Sequence, residues 1–401
     1  MAPSGFHTVL SSTLAAGLFT LFAGWVEVVR RWVFGVERLP TGVLVFLVGT
    51  TFVLVCGVLL RALVAQLNSG PHTEQTTLVG RSAPGGGHGF TVTWACSEMQ
   101  GWRDNMEDAH IALTVVKKPE DGEVEVPDNN MMLFAVFDGH GGSAVSQLCA
   151  RWMPTRVAEL MGSPDLKEKI TQMHVEMDKQ LRKVGQDKAV KHPPQQTKVA
   201  KCFPLLAAHP FEPNSFSYTG CTAVSAYIVG NKVYVANVGD SRTLLCRNGK
   251  CVELSQDHKP NNPEEKRRIE AAGGRVQVIG PCARVDLGLN LSRALGDFAY
   301  KNPAAAVEDQ KICVIPDILE ADLKPGDEFL VVACDGIFEL FENQQVIDFV
   351  RPRLADHGSP EKAVRELLSA ACSPDPQSTQ GLGMDNETAI IVQLHWPGQA
   401  A

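Results

Sequence analysis

The feature that most limits the folds open to this chain is a set of strongly apolar runs, each of strand length and each bordered by an acidic residue. The acidic residues are Asp138 after LFAVF, Asp240 after VYVANVG, Asp335 after FLVVAC, and Asp385 just before TAIIVQL. Runs that are apolar almost throughout are typical of strands covered on both faces. The sequence therefore predicts a β-rich core with carboxylates at the ends of its strands.

Turn chemistry alone does not account for this set of carboxylates. A single Asp-Gly pair after a strand is an ordinary turn. Several carboxylates at the ends of packed strands repel one another unless positive charge lies between them. Oxygen ligands without cysteine and with little histidine favour a hard cation, Mg²⁺ or Mn²⁺, over zinc. Two such ions can clamp a phosphate and acidify a water, so phosphate chemistry would use this pattern.

From about residue 91 onward, short β-rich runs alternate with amphipathic segments. Strands are predicted at 90–96, 132–137, 223–229, 232–238, 243–247, 328–333 and 388–393. Helices are predicted at 143–160, 166–184, 263–272, 343–355 and 360–371. The helix at 263 has clear boundaries, with Asn262 as N-cap, Pro263 in the first turn and Gly273 as the stop. Alternation of this kind indicates a mixed α/β domain.

The N-terminal 66 residues differ from the rest of the chain. Residues 41–60 carry no charge over twenty positions, and a helix of that length spans about 30 Å of hydrocarbon. A buried core helix is the alternative, but the length favours a membrane span. Residues 6–26 form a second uncharged stretch, which is either a first span or an interfacial helix. We therefore predict a membrane anchor of one or two transmembrane helices within residues 1–66.

A Gly-, Pro-, Ser- and Thr-rich stretch at 67–90 separates this anchor from the soluble domain, and it predicts a flexible linker. The soluble domain is predicted to cover residues 91–396. Residues 185–217 within it carry several lysines with little periodicity, which predicts an exposed insertion loop. Its lysines are either simply solvated or form a site that recruits an acidic partner.

Two observations bear on the side of the membrane that the soluble domain faces. Arg30, Arg31 and Arg38 lie between the two apolar stretches, and the positive-inside rule places that loop in the cytosol and both termini across the membrane. The 11 cysteines are scattered singly with no CxxC pair, which argues against a disulfide framework and for a reducing compartment. We expect a cytosolic domain. The net charge of −8 gives no reason to expect nucleic-acid binding.

Seven stretches together resemble, in chain order, the motifs of the protein phosphatase 2C family of metal-dependent serine/threonine phosphatases. They are MQGWRDNMEDAH (99–110), FAVFDGHGG (134–142), GCTAV (220–224), ANVGDSR (236–242), SRALGDFAYK (292–301), ACDGIFEL (333–340) and MDNETAIIV (384–392). The resemblance runs from residue 91 to about 394. It implies an α/β (α+β) sandwich of two packed, mainly antiparallel β-sheets flanked by helices.

The resemblance also implies roles for individual residues around two Mg²⁺ or Mn²⁺ ions. The metal ligands would be Glu107, Asp108 through water, Asp138 as the bridge, the Gly139 carbonyl, Asp335 and Asp385. Arg103 would bind the substrate phosphate, whose oxygens fit a guanidinium fork. His140 would be the general acid for the departing serine or threonine oxygen. A metal-bridging water would attack phosphorus in line, with room left by the glycines at 139, 141 and 142.

One position departs from the family pattern. Many members carry an aspartate four residues after the Asp-Gly of the fifth acidic motif, whereas this chain has Glu339. In the family that position and the equivalent of Asp240 contribute to a weaker third metal site. Glutamate keeps the charge but moves it outward by one methylene, so the third ion is the less secure part of the prediction.

Other residues in these motifs are expected to serve the fold. We expect His110 to pack or cap, Arg242 and Asp297 to hold the fold through buried hydrogen bonds, and Cys334 to be a small core residue, with its sensitivity to oxidation left open. The function expected is hydrolysis of phosphoserine and phosphothreonine in proteins by a monomeric catalytic domain. The alternatives are a catalytically weak or inactive scaffold that binds phosphoproteins, and a scaffold for the 185–217 loop.

Overall fold

The computed structural model describes residues 70–81, 89–115, 131–191 and 216–398, and the structural statements below concern these residues. The strands are β1 (His72–Arg81), β2 (Thr91–Gly101), β3 (Ala109–Val115), β4 (Met131–Phe137), β5 (Gly139–His140), β6 (Gly220–Cys221), β7 (Ala223–Val229), β8 (Lys232–Val238), β9 (Arg242–Arg247), β10 (Lys250–Glu253), β11 (Val276–Ile279), β12 (Cys282–Val285), β13 (Leu295–Gly296), β14 (Asp317–Asp322), β15 (Asp327–Ala333) and β16 (Glu387–His395). The helices are α1 (Ala144–Leu160), α2 (Leu166–Lys191), α3 (Pro263–Ala271), α4 (Asp335–Phe338), α5 (Asn343–His357) and α6 (Pro360–Ala371).

Two antiparallel sheets form the core of the fold. One has the strand order β1-β2-β16-β15-β9-β10, and the other has the order β14-β8-β7-β4-β3. Strand β4 shows how they are covered: Met132, Phe134 and Val136 pack in a core with side chains of the six-stranded sheet. The alternate residues Leu133 and Phe137 pack with side chains of α1 and α2. The run is apolar throughout because both of its faces are buried.

Helices α5 and α6 cover the outer face of the six-stranded sheet. Val331 of β15 and Ile391 of β16 share a core with Val350 of α5 and Leu367 of α6. On α6 the buried side chains recur at helical spacing, as Val364, Leu367, Leu368 and Ala371 do. The predicted mixed α/β architecture of antiparallel sheets with helices is therefore confirmed.

Strand β1 lies within residues 67–90, which the sequence predicted as a flexible linker, and here the structure differs. Residues 72–81 pair with β2 at the edge of the six-stranded sheet. Most side chains of β1 are exposed, so the strand carries none of the apolar pattern that reveals the others. An edge strand is held chiefly by backbone hydrogen bonds to one neighbour, which any non-proline residue can make.

The five predicted helices differ from the structure only at their ends, whereas the short helix α4 was not predicted. Helix α2 continues to Lys191, into the predicted insertion, and the remainder of that insertion lies outside the described residues from 192 to 215. Asn262 does occupy the N-cap of α3, but its side chain makes no capping bond. Its amide donates instead to the carbonyl of Asp257 at 2.8 Å.

The predicted membrane anchor, residues 1–66, lies outside the described residues. In the part of the chain that the structure does describe, no helix has the length and apolar character needed to cross a bilayer.

A short third sheet, in the order β13-β6-β5, joins segments that are far apart in the chain. Gly139 and His140 of β5 pair with Cys221 and Gly220 of β6. The same two residues of β6 pair with Leu295 and Gly296 of β13. This small sheet carries the backbone from the end of β4 to the loop that follows Gly296.

Candidate active site

The carboxylates predicted at strand ends converge at one place. Asp138 follows β4, and its pKa is raised well above the usual value, first by burial and then by the charges of Asp335, Asp108, Asp385 and Asp240. One charged group shifts the pKa of another only when the two lie close together. The structure therefore brings together aspartates contributed by both large sheets.

Neighbouring carboxylates behave in the same way. Burial, followed by the charges of Asp240 and Asp385, raises the pKa of Asp335 to about 8. The pKa of Asp385 is also raised by burial, although Arg103 partly opposes this. Because these aspartates lie close together, ionising all of them costs electrostatic free energy. A bound cation would reduce that repulsion.

Asp108 lies beneath this group and is 6% exposed. Its Oδ2 accepts a hydrogen bond from the Thr388 hydroxyl at 2.7 Å, whereas its buried Oδ1 has no partner within the described residues. Burial raises the pKa of Asp108 to about 7. A buried carboxylate oxygen without a hydrogen-bond partner costs free energy. Beside the other aspartates, this oxygen can accept a hydrogen bond from water or bind a cation.

Two basic side chains already neutralise part of the cluster. The Arg103 guanidinium donates to Oδ2 of Asp385 at 2.5 Å, and the Arg103 side chain is 55% exposed. Lys259 donates to Oδ2 of Asp240. The side chain of Lys259 is 34% exposed, so solvent reaches both of these basic groups.

Glu107 and Gly139 lie against each other through their backbones. A Cβ added at Gly139 would lie 2.1 Å from the Glu107 carbonyl oxygen, and one at Gly141 would lie 2.2 Å from the carbonyl of Tyr218. The space beside these two glycines is therefore filled by backbone, which argues against room for waters and phosphate there. Glycine is needed there because the chains pass so closely. At Gly142, the third glycine of the prediction, an added Cβ would meet only Thr219 Cγ2, at 3.7 Å, so the prediction stands there as a prediction.

Asn386 holds the loop that carries Arg103 and Glu107. Its Oδ1 accepts from the Glu107 amide at 2.8 Å. Its Nδ2 donates to the carbonyls of Gln100 at 2.8 Å and Asn105 at 3.0 Å. No role is predicted for Asn386 from the sequence, although its place directly after Asp385 is a usable signal.

Glu339 lies near Asp385, but its carboxylate already accepts hydrogen bonds from the backbone. Its Oε2 accepts hydrogen bonds from the backbone amides of Gly383 at 2.6 Å and Met384 at 3.3 Å. Since Asp240 is paired with Lys259, both carboxylates of the predicted third metal site have protein partners. The third ion stays a prediction.

His140, the predicted general acid, is paired with an aspartate. Its Nε2 lies 2.6 Å from Oδ2 of Asp297, whose side chain is fully buried. Burial lowers the pKa of His140, but the charge and hydrogen bond of Asp297 more than offset this, so that the pKa is raised. From the sequence Asp297 is expected to serve the fold alone, because nothing in the pattern links two residues 157 positions apart.

The other expectations for motif residues agree with their contacts. His110 Nδ1 lies 3.1 Å from Glu98 Oε2. Arg242 donates to both carboxylate oxygens of Asp257 at 2.8 and 2.9 Å. Cys334 is fully buried. Burial raises the pKa of the Cys334 thiol well above its usual value, which disfavours the reactive thiolate.

The donor set of this site fits a hard divalent cation. Its acidic side chains offer oxygen only, they repel one another, and one buried oxygen of Asp108 has no partner. Within the described ranges, however, no group of three or more acidic, histidine or cysteine side chains is arranged to coordinate an ion as it stands. Several of these oxygens instead face Arg103, Lys259 and Thr388.

Comparison with known proteins places these features in a family. A protein-family model described as "Protein phosphatase 2C" matches residues 93–379. "Probable protein phosphatase 2C 2" of Paramecium tetraurelia is 38% identical over 333 residues, which cover 81% of this chain and 98% of that relative. "Protein phosphatase 2C homolog 3" of Schizosaccharomyces pombe is 38% identical over 310 residues, which cover 76% of this chain and 64% of the relative.

Solved structures agree at the level of the fold. A crystal structure of a phosphatase from Toxoplasma gondii has a TM-score of 0.58 at 23% identity, covering 80% of this chain and 96% of that one. A serine-threonine phosphatase 2C from Toxoplasma gondii has a TM-score of 0.57 at 20% identity, covering 80% and 99%.

Proposed function

Because the chain belongs to the protein phosphatase 2C family, we propose that its acidic site hydrolyses phosphoserine and phosphothreonine in proteins with water activated at two bound Mg²⁺ or Mn²⁺ ions. As a family member the chain is a protein serine/threonine phosphatase, and the family is metal-dependent. The pair of ions, the roles of single residues, the monomeric state of the catalytic domain and the attachment to a membrane are parts of the proposal.

The observation that carries the proposal is the environment of Asp138. This residue lies at the end of a buried strand, and four other aspartates act on its charge. Asp108 and Asp240 are buried and the other three aspartates are half-buried. Gathering them in one place costs free energy, since each charge raises the energy of the others. Divalent cations offset that cost and make the cluster useful for binding a phosphate.

Asp138, Glu107, the Gly139 carbonyl, Asp335 and Asp385 would hold the ions. When bound, the ions supply positive charge for the phosphate and lower the pKa of the attacking water. Asn386 accepts from the Glu107 backbone amide, and the Glu107 carbonyl lies against Gly139. The backbones of two of these residues, which come from separate segments, therefore lie together.

Arg103 is placed to bind the substrate phosphate. It is half exposed at the rim of the cluster and lies in the same loop as Glu107. Its guanidinium has five N–H donors, and the bond to Asp385 leaves donors free for phosphate oxygens. Binding of a dianionic phosphate there would place the scissile bond beside the carboxylate cluster.

His140 would donate the proton to the leaving oxygen. The charges of Asp240 and Glu107 act on its imidazole, which places the ring beside the cluster. The side chain is 23% exposed, so a substrate can reach it. A serine or threonine alkoxide is a poor leaving group without a proton, and a positioned imidazole supplies one near neutral pH.

The test is phosphate release from a phosphothreonine peptide by the full chain in the presence of Mn²⁺. We expect turnover by the wild-type protein and its loss in Asp138→Asn, which keeps the side-chain shape but removes the charge. Asp356→Asn is the matched control, because Asp356 is exposed on α5. Unchanged turnover in Asp138→Asn would contradict the proposed site, and an inactive wild-type protein would favour the phosphoprotein-binding scaffold.

We also propose that residues 1–66 anchor the enzyme in a membrane with its catalytic domain facing the cytosol. The support is the uncharged stretch 41–60, which is long enough to span a bilayer. Tethering would raise the local concentration of substrates on the same membrane. Protease protection of the catalytic domain in intact vesicles tests the orientation: a cytosolic domain on the outside of such vesicles is digested, and a protected one would contradict the proposal.

A further inference from the structure

The contact between His140 and Asp297 has features that a simple fold contact does not need. The 2.6 Å distance between Nε2 and Oδ2 joins a half-buried imidazole to a fully buried carboxylate. The other carboxylate oxygen, Oδ1 of Asp297, has no hydrogen-bond partner in the described part of the chain. Within the same residues, His140 is also the only basic side chain that pairs with Asp297. The buried charge of Asp297 is therefore directed at one imidazole.

The backbone around this contact is shaped to allow it. A Cβ added at Gly220 would lie 2.2 Å from Oδ2 of Asp297 and 2.7 Å from Nε2 of His140. Glycine at this position thus leaves the space that the two side chains share. Asp297 itself has φ of 52° and ψ of 44°, a left-handed conformation that aspartate adopts at some cost.

A buried brace holds the loop that carries Asp297. The Asp178 carboxylate of α2 accepts from the Gly296 amide and from Lys301 Nζ, each at 2.8 Å. Lys301 Nζ also donates to the Ala294 carbonyl at 2.8 Å. The Asp297 amide donates to the Thr219 carbonyl at 3.0 Å. Both ends of the loop are therefore fixed, and the short sheet of β13, β6 and β5 sets the distance to His140.

The contact with Asp297 distinguishes the two imidazole nitrogens of His140. Because Nε2 is held by Asp297, Nδ1 is the nitrogen left without a protein partner among the described residues. We propose that Asp297 is the positioning residue of His140: it holds Nε2–H and so presents Nδ1 as the atom that delivers the proton to the leaving serine or threonine oxygen. The inference rests on the proposed phosphatase function and specifies how its general acid is oriented.

The oxygen of the attacking water forms a bond to phosphorus as the bond between phosphorus and the leaving oxygen breaks. The electron pair of the broken bond goes to the leaving oxygen, and the proton on Nδ1 goes to the same oxygen to give the serine or threonine hydroxyl. The protons of the water stay with the inorganic phosphate. His140 is left as a neutral imidazole with its proton on Nε2, still donated to Asp297. The carboxylate takes no proton and stabilises the imidazolium before the transfer, as a carboxylate beside a catalytic imidazole does elsewhere.

The test compares two substrates that differ in their need for this proton. Phosphothreonine in a peptide leaves as a strongly basic alkoxide, whereas p-nitrophenyl phosphate releases a stable phenolate that needs no general acid. We expect Asp297→Asn to lower kcat on the peptide by about tenfold or more and kcat on p-nitrophenyl phosphate by less than about threefold. His140→Ala should show the same preference, and adding Asp297→Asn to it should cause no further loss.

Asp356→Asn serves as the control, and it should leave both rates unchanged. A purely structural role of Asp297 predicts equal losses on both substrates, and that outcome would overturn the inference while wild-type turnover leaves the proposed function intact. Failure of the wild-type protein on both substrates would instead contradict the proposed function on which the inference rests.

A second measurement needs no variant at Asp297 and decides the matter if Asp297→Asn fails to fold. ¹⁵N NMR of the full chain labelled at histidine reports the tautomer of His140, with its signal identified by its loss in His140→Ala. We expect the neutral ring to carry its proton on Nε2. A proton on Nδ1 would contradict the proposed orientation.

Discussion

At the scale of single residues, two kinds of buried carboxylate occur in this protein. Burial raises the pKa of Glu265, but Arg268 and Arg293 outweigh it and bring the pKa to about 2. Asp335 has only partial compensation from Lys259, and its pKa is raised to about 8. The paired carboxylate stabilises the fold, whereas the uncompensated ones mark the site at which a cation or a reaction is expected.

His174 gives a pH-dependent prediction of stability. It is fully buried in α2, and burial lowers its pKa to about 4 from the usual 6.5. Between pH 6.5 and 4 the His174 imidazole is therefore protonated in the unfolded chain and neutral in the folded chain. The free energy of unfolding falls as the pH falls through this window, by about 2–3 kcal/mol from this residue alone.

His174→Leu should remove this contribution. The Ile170 carbonyl, which lies 2.8 Å from His174 Nδ1, keeps its backbone hydrogen bond within the helix. Urea unfolding at pH 7 and pH 4.5 measures the difference, and we expect the loss on acidification to be smaller in the variant by about 2 kcal/mol. Equal losses in both proteins would show that His174 does not titrate as its burial requires.

The identities of single site residues were predictable where a motif surrounds them. Asp138, Asp335 and Asp385 each adjoin an apolar strand, and that pattern is local. The role of Asp297 was not predictable from the sequence, because its partner His140 is reached only through β6 and β13. The sequence pattern assigns Asp240 to a metal. Its pairing with Lys259 was not predictable, because the fold brings the two loops together.

At the scale of helices and strands, hydrophobic pattern decided what could be predicted. Strand β4 is buried on both faces and was predicted to within one residue. Strand β1 was missed because its side chains are mostly exposed, and only pairing with β2 defines it. Strand β14 was also missed: its sequence DILEAD is acidic, and it pairs along one edge with β8. Edge strands carry little pattern, since one neighbour and one covered face suffice.

The attachment of helix α3 gives a prediction at this scale. Glu265 is 3% exposed. Its oxygens accept from Arg268 at 2.7 Å and from Arg293 at 2.9 Å. The Ser292 hydroxyl also donates to it at 2.5 Å. This network ties α3 to the segment that leads to β13. Glu265→Gln leaves Arg268 without its carboxylate partner and leaves Arg293 paired with Asp317 alone. The change should lower the free energy of unfolding by about 3 kcal/mol.

The matched control lies one position earlier on the same helix. Glu264 is exposed, and its nearest approach to Arg267 is 3.8 Å with both side chains largely in solvent. Glu264→Gln should change the free energy of unfolding by less than about 0.5 kcal/mol in the same chemical denaturation experiment. Similar values for the two variants would contradict the role assigned to the buried network.

At the scale of the whole molecule, the site depends on the stacking of two sheets. Arg103 and Asp385 are in contact although 282 positions separate them. The order of motifs along the chain identified the family, and through it the sandwich. Propensity and periodicity alone indicate strands and helices but not which strand ends meet, because the pairing of distant strands is set by tertiary packing.

The carboxylate cluster around Asp138 is proposed to hold two divalent cations. Calorimetric titration of the full chain with Mn²⁺ measures this without a substrate, and Asp138→Asn and Asp356→Asn provide the comparison. We expect two Mn²⁺ ions per chain for the wild-type protein and for Asp356→Asn, and loss of this binding in Asp138→Asn. No binding by the wild-type protein, or binding that Asp138→Asn leaves unchanged, would contradict the account.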